Sequence, residues 1–177
     1  MNRVLIALAA VGLVAAACGG AATTPTASAA TPQTVYVFTA DLSPASENPA
    51  VTDAEASGSG TATVTLTTTK DSSGKITAAT AKFVIVLKGF PATTEIILSH
   101  IHKGDAKTNG PVVVDSTIKP TAPIALTTGG TTITKDNLTV APDVATAIIA
   151  NPGGYYYNVH SKVHPGGVVR GQLTLKT

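Results

Sequence analysis

The chain has 177 residues, carries 12 Lys and Arg against 10 Asp and Glu, and so has a net charge of +2; less a removable leader, that is the length of one ordinary domain. Its lysines are scattered singly, Trp is absent and aromatics are 4 % of the chain, so neither a nucleic-acid surface nor a stacking platform for bases or sugars is expected. A single cysteine excludes an intrachain disulfide, and the wealth of Thr and β-branched residues favours strands over helices.

The chain opens as an export signal. Met1-Asn2-Arg3 is a short positive region, Val4 to Val14 an apolar run, and Ala15-Ala16-Ala17 a small-residue cleavage site. That run falls short of the ~20 residues a spanning helix needs, so residues 1–17 are expected to be a signal peptide rather than a permanent membrane span. Cys18, followed by Gly19-Gly20, resembles the lipobox cysteine of bacterial lipoproteins, although Ala15 stands where those signals more often carry Leu. The resemblance implies acylation of Cys18 and a partner in the membrane itself, since each buried methylene of an acyl chain contributes about 0.8 kcal/mol. Ordinary cleavage, leaving a secreted protein with a free thiol, is the alternative. Residues 18–34, the lipidated cysteine and a stretch of Ala, Thr, Ser and Pro without periodicity, read as a flexible linker.

From Val35 onward the sequence alternates as half-buried strands do. The expected runs are Val35 to Leu42, Thr61 to Thr69, Ile76 to Leu87, Ile96 to His102, Val112 to Asp115, Tyr155 to His160 and Val168 to Leu175. Asp71-Ser72-Ser73-Gly74, Asn109-Gly110-Pro111, Gly129-Gly130 and Pro165-Gly166-Gly167 separate them as turns. This is the pattern of an all-β fold, a single antiparallel, Greek-key-like sandwich or barrel. One segment departs from it: Val144, Ala145, Ile148 and Ile149 recur at helical spacing between Pro142-Asp143 and Asn151-Pro152-Gly153-Gly154, which predicts one short helix. Tyr155, Tyr156 and Tyr157 are read as packing residues, because neighbours on a strand point to opposite faces.

The blocks Phe38-Thr39-Ala40-Asp41-Leu42, Glu47-Asn48-Pro49-Ala50-Val51, Gly58-Ser59-Gly60-Thr61-Ala62, His100-Ile101-His102, Asn109-Gly110-Pro111-Val112-Val113-Val114, and Tyr157-Asn158-Val159-His160 through Arg170-Gly171-Gln172-Leu173 together resemble the CHRD domain. That domain was named from the repeats of chordin and is also found singly in bacterial exported proteins. The likeness covers residues 35–177. It departs at Asn48-Pro49-Ala50, where the family often has a double proline, and at Lys103, where a Gly often follows. The resemblance implies an extracytoplasmic all-β binding or structural module whose ligand is undefined. In chordin the repeats belong to a secreted antagonist of growth factors, a partner with no evident place beside a bacterial lipoprotein.

All four histidines fall in two short segments, as His100 and His102, and as His160 and His164. A His-x-His pair on a strand sends both imidazoles from one face, and His160 with His164 would join them if the strands are neighbours. Neutral imidazoles favour Cu or Zn over hard cations, and with no Cys or Met ligand in the folded part, blue copper and thiolate zinc are excluded. The alternative is a structural polar cluster with Asn158 and Gln172 as partners, and with Arg170 paired to Glu47 or Asp115. No nucleophile elbow, domain cysteine or phosphate-binding loop marks an enzyme, although a His-bound copper leaves redox chemistry open. A protein or surface partner at an exposed sheet edge is a third possibility.

Overall fold

The computed structural model describes residues 32–176; the expected signal peptide, Cys18 and the linker up to residue 31 lie outside them. The all-β expectation is borne out as a sandwich of two antiparallel sheets with one short helix. The first sheet contains β1 (Gln33–Leu42), β2 (Ser59–Lys70), β3 (Ile76–Lys88), β7 (Thr131–Val140) and β10 (Thr174–Leu175), in the order β10-β1-β2-β3-β7. The second contains β4 (Glu95–Lys103), β5 (Val112–Asp115), β6 (Ile124–Ala125), β8 (Tyr155–Ser161) and β9 (Val169–Gln172), in the order β5-β4-β8-β9 with β6 also on β4.

Alternation assembles the core. Phe38, Val64 and Phe83 lie opposite one another across β1, β2 and β3, as do Ala40, Ala62 and Ile85, and all six are buried. From the other sheet come Ile101, Tyr157, Val159 and Val169. Phe83 and Tyr157 meet between the sheets edge to face, with centroids 5.1 Å apart at 89°, an arrangement aromatic pairs favour. The Tyr157 hydroxyl is satisfied at 2.9 Å by Ser99 Oγ, so this buried tyrosine leaves no stranded polar atom.

Helix α1 (Pro142–Ala150) follows the expected spacing, with Pro at its first turn and Ala145 and Ile148 buried against the sandwich. It carries the chain from the first sheet into β8.

Besides the two-residue β6, which no expected run covers, two longer elements differ from the sequence expectation. No strand is expected over Thr131–Val140, yet β7 forms the edge of the first sheet. A bulge hides it: the register slips opposite Ala81/Phe83, Asn137 takes φ 55°, and the inward residues Ile133 and Leu138 come to lie five apart instead of at even spacing. The run Val168 to Leu175, expected as one strand, is two. Leu173, 1 % exposed, marks the step where the chain leaves β9 in the second sheet and joins β1 of the first as β10. Alternation continues through that step, so periodicity carries no sign of it.

Candidate functional site

Residues directly opposed in a sheet share a face. The register sets His160 opposite Leu98, Asn158 opposite His100 and Tyr156 opposite His102, and continues with Arg170 beside Asn158 and Gln172 beside Tyr156. One face of β4, β8 and β9 therefore gathers the three histidines, Tyr156, Asn158, Arg170 and Gln172, while their neighbours in sequence fill the core. This is the outer face, which an antiparallel sandwich ordinarily leaves to water. Here it is buried: His100 is 7 % exposed, His102 9 %, His160 6 % and Arg170 1 %.

Loops cover it. The segment after β1, the loop between β4 and β5, and the turn after β8 close over the polar face and bond to one another: Asn48 Nδ2 donates to the Lys107 carbonyl at 2.8 Å and Asn109 Nδ2 to the Asn48 carbonyl at 2.7 Å. Each loop also takes hold of the face below. The Gly110 N–H donates to the Tyr156 hydroxyl, and Arg170 donates to the Thr108 carbonyl at 3.2 Å and to Asn109 Oδ1 at 2.8 Å.

Within this enclosure the rings of His100, His102 and His160 lie with centroids 5.1 to 6.0 Å apart. Each offers a nitrogen, and these atoms all lie within 4.8 Å of one another; among the described residues this is the one such group of three. His102 Nδ1 is 2.8 Å from the Gly110 carbonyl and His160 Nδ1 is 2.9 Å from the Pro165 carbonyl. A carbonyl only accepts, so both Nδ1 atoms carry the proton and both Nε2 atoms carry a lone pair. His102 Nε2 is buried without a hydrogen-bond partner. His160 Nε2 lies 3.2 Å from His100 Nδ1, and the far nitrogen of His100, Nε2, lies 3.9 Å from Asp115 Oδ1. Since His160 Nε2 is the acceptor in that contact, His100 donates from Nδ1 in the metal-free site. In its other tautomer, with the proton on Nε2, His100 would turn a third lone pair to the same point.

Burial holds all three imidazoles below their ordinary pKa. Desolvation is the main cause in each; it brings His160 down to about 4, against the pull of the Pro165 carbonyl and with a smaller push from His100 and His102. His100 is lowered although Asp115 opposes, and His102 is lowered by burial and by Arg170 although the Gly110 carbonyl opposes. Around pH 7 the cluster is neutral, the form in which imidazole binds a metal.

The structure does not bring the fourth histidine to this group. His164 sits in the turn after β8, which folds back through the bond from the Ser161 N–H to the His164 carbonyl, and its ring points toward the segment after β1. There His164 Nε2 lies 2.9 Å from Asp53 Oδ2 and 3.9 Å from Glu55 Oε2. Glu55, 4 % exposed, accepts from Thr94 Oγ1 at 2.9 Å and from Ser161 Oγ at 2.5 Å. This second cluster, unforeseen in the sequence, latches a loop to β8.

Arg170 turns to Glu47 rather than to Asp115. Its Nε lies 3.1 Å from Glu47 Oε2, with both side chains buried, and its guanidinium lies 4.9 Å from the Tyr156 ring centroid. Burial raises the Glu47 carboxyl to about 7 against the opposing pull of Arg170. Asn158 Oδ1 and Glu47 Oε1 are buried without partners. Gln172 serves the backbone and not the histidines, donating to the carbonyls of Gly153 at 2.8 Å and Gly104 at 3.0 Å. Tyr156 has a part that the packing assignment passes over: its ring stacks on His102 at 4.9 Å and 5° while its hydroxyl holds Gly110. Two cavities of about 520 and 500 Å³ open among the covering loops; Glu47 and Asn48 line both, and none of the three clustered histidines lines either.

A family model for the CHRD domain matches residues 38–173. The chain belongs to the CHRD family. The match runs from the middle of β1 to the residue that separates β9 from β10, so the histidine face and two of its covering loops fall wholly inside the CHRD domain, as does the turn that holds His160. Searches of curated proteins and of solved structures returned no match.

Proposed function

We propose that this CHRD domain binds a transition-metal ion, copper or zinc, through His100, His102 and His160, and that it does so outside the cytoplasm on a lipid anchor at Cys18. One observation carries the metal reading: backbone carbonyls bind the Nδ1 protons of His102 and His160 and so aim two Nε2 lone pairs at a point that His100 also faces. Metal-bound histidines are oriented by such a bond on the other ring nitrogen. The 3.2 Å between His160 Nε2 and His100 Nδ1 is close to the ~3.3 Å that separates two nitrogens, each about 2.0 Å from a tetrahedral ion. An imidazole-only donor set suits copper and zinc over calcium or magnesium. The anchor rests on the leader, on Cys18 directly after it, and on the linker that follows. The reading includes no catalysed reaction.

The test is metal content and titration calorimetry on the full chain, purified without an affinity tag. One ion per chain is expected, lost in both His102→Ala and His160→Ala, with either variant still folded by circular dichroism. A second reading, a purely structural cluster, draws on the contact between His100 and His160 and the stack of His102 on Tyr156. It requires that wild type take up no metal while each substitution costs about 1–3 kcal/mol of stability.

A further inference from the structure

Granted that the trio holds a metal, three features of its surroundings decide which ion suits it. The first is the donor set. Three imidazole nitrogens converge with no thiolate or carboxylate in the group, and the neighbouring Asp115 carboxylate approaches the far side of His100, at 3.9 Å from Nε2, while Nδ1 faces His160. No anionic ligand offsets the charge of an ion at the centre.

The second is enclosure. A zinc ion held by three protein ligands keeps a fourth position for water, and copper(II) takes tetragonal surroundings with more ligands than three. The three rings are at most 9 % exposed, and the cavities among the covering loops are lined by other residues. A closed-shell d10 monocation is satisfied by three nitrogens and needs no water.

The third is the field. Arg170 lies over the face of Tyr156, and Tyr156 stacks on His102, so a fixed positive charge stands near the cluster. Coulomb repulsion from it acts on a dication with twice the force it exerts on a monocation. Glu47, paired with Arg170, offsets part of that charge, and the Asp115 side chain is 60 % exposed, where water screens it.

We propose that His100, His102 and His160 form a three-coordinate copper(I) site that discriminates against zinc(II). Cuprous ion bonds to Nδ1 of His100 and to Nε2 of His102 and His160, with the His100 proton moved to Nε2, the side on which the Asp115 carboxylate lies 3.9 Å away.

The experiment is an anaerobic competition titration of the full chain against a chromogenic copper(I) chelator, with a parallel zinc titration against a zinc indicator. X-ray absorption of the copper-loaded protein would count the nitrogen donors. One copper(I) per chain with three nitrogen donors, and zinc affinity weaker by roughly 100-fold or more, is the expected result. His164→Ala, outside the trio, should keep copper, and His100→Ala should lose it. Zinc binding as tight as copper(I), or a fourth donor in the copper spectrum, would overturn the cuprous assignment and leave the metal reading standing. Absence of any stoichiometric ion would overturn both.

Discussion

Glu47 and Arg170 form a buried pair, and removing one of them is not symmetrical with removing the other. Arg170→Met takes away the donor to the Thr108 carbonyl and to Asn109 Oδ1, and stranding those acceptors typically costs about 1–3 kcal/mol. The Glu47 carboxyl, already raised to about 7, takes a proton instead of staying charged. Glu47→Gln leaves a guanidinium that still donates to Thr108 and Asn109, so its loss should be the smaller of the two. Urea denaturation of both variants checks the order. His160 makes a prediction about acid. In the metal-free fold it stays neutral down to about pH 4, whereas an unfolded histidine takes its proton near 6.5. Its contribution is therefore whole above pH 6.5 and is lost as pH falls from there to 4, by at most roughly 3 kcal/mol. Glu47 works in the opposite sense, because its proton is held in the fold below about 7 but in the unfolded chain only below 4.5. The wild-type curve mixes the two, so the quantity to measure is the stability difference between wild type and His160→Asn with chelator present, from pH 7.5 to 4. That difference should shrink toward acid.

At the level of elements, the loop between β4 and β5 is what aims His102, and Gly110 is its tightest point. A β-carbon there would lie 1.6 Å from the Lys103 carbonyl oxygen, and that carbonyl cannot retreat without disturbing the end of β4. Gly110→Ala should cost stability of the order of overpacking, about 1–3 kcal/mol, and should weaken metal uptake, because the same residue's carbonyl orients His102. A thermal melt together with a metal titration tests both parts. The strands show how far pattern alone reaches. Val35 to Leu42 and Thr61 to Thr69 are legible because inward and outward residues alternate along them. The strand Thr131–Val140 is not, since the bulge at Asn137 breaks the period within its ten residues. The pairing of Arg170 is half legible: two acids were candidates, and the fold of the segment after β1 over β9 selected Glu47.

On the scale of the whole molecule, the proposed anchor assigns the folded domain to a membrane surface by way of residues that precede it. Expressed in a bacterial host, the wild type should sediment with membranes and carry acyl mass on its N-terminal peptide. Cys18→Ser should be released to the soluble fraction with the same thermal stability, because Cys18 precedes β1, which begins at Gln33 and takes in the last two residues of the expected linker. Sedimentation followed by mass spectrometry of that peptide decides the matter. The sandwich itself is joined across its sheets at one corner, where Ser43 bridges Arg170 and β10 returns to β1, so the site and the closure of the fold share a residue.

Local chemistry in the sequence was sufficient for the class of fold and for the neighbourhood of the site. Period-two alternation, the Gly, Pro and Asn turns and the Pro-initiated helix depend on near neighbours in the chain, and the confinement of four histidines to two segments is visible without coordinates. Membership of the cluster was not local. His100 meets His160 across β4 and β8, sixty residues apart, and only the strand register decides that they share a face while His164 turns away to Asp53. Burial was the other matter for tertiary structure. An alternating strand announces a solvated outer face, and it took three loops closing over β4, β8 and β9 to make that face a dry one, where neutral imidazoles replace solvated ones.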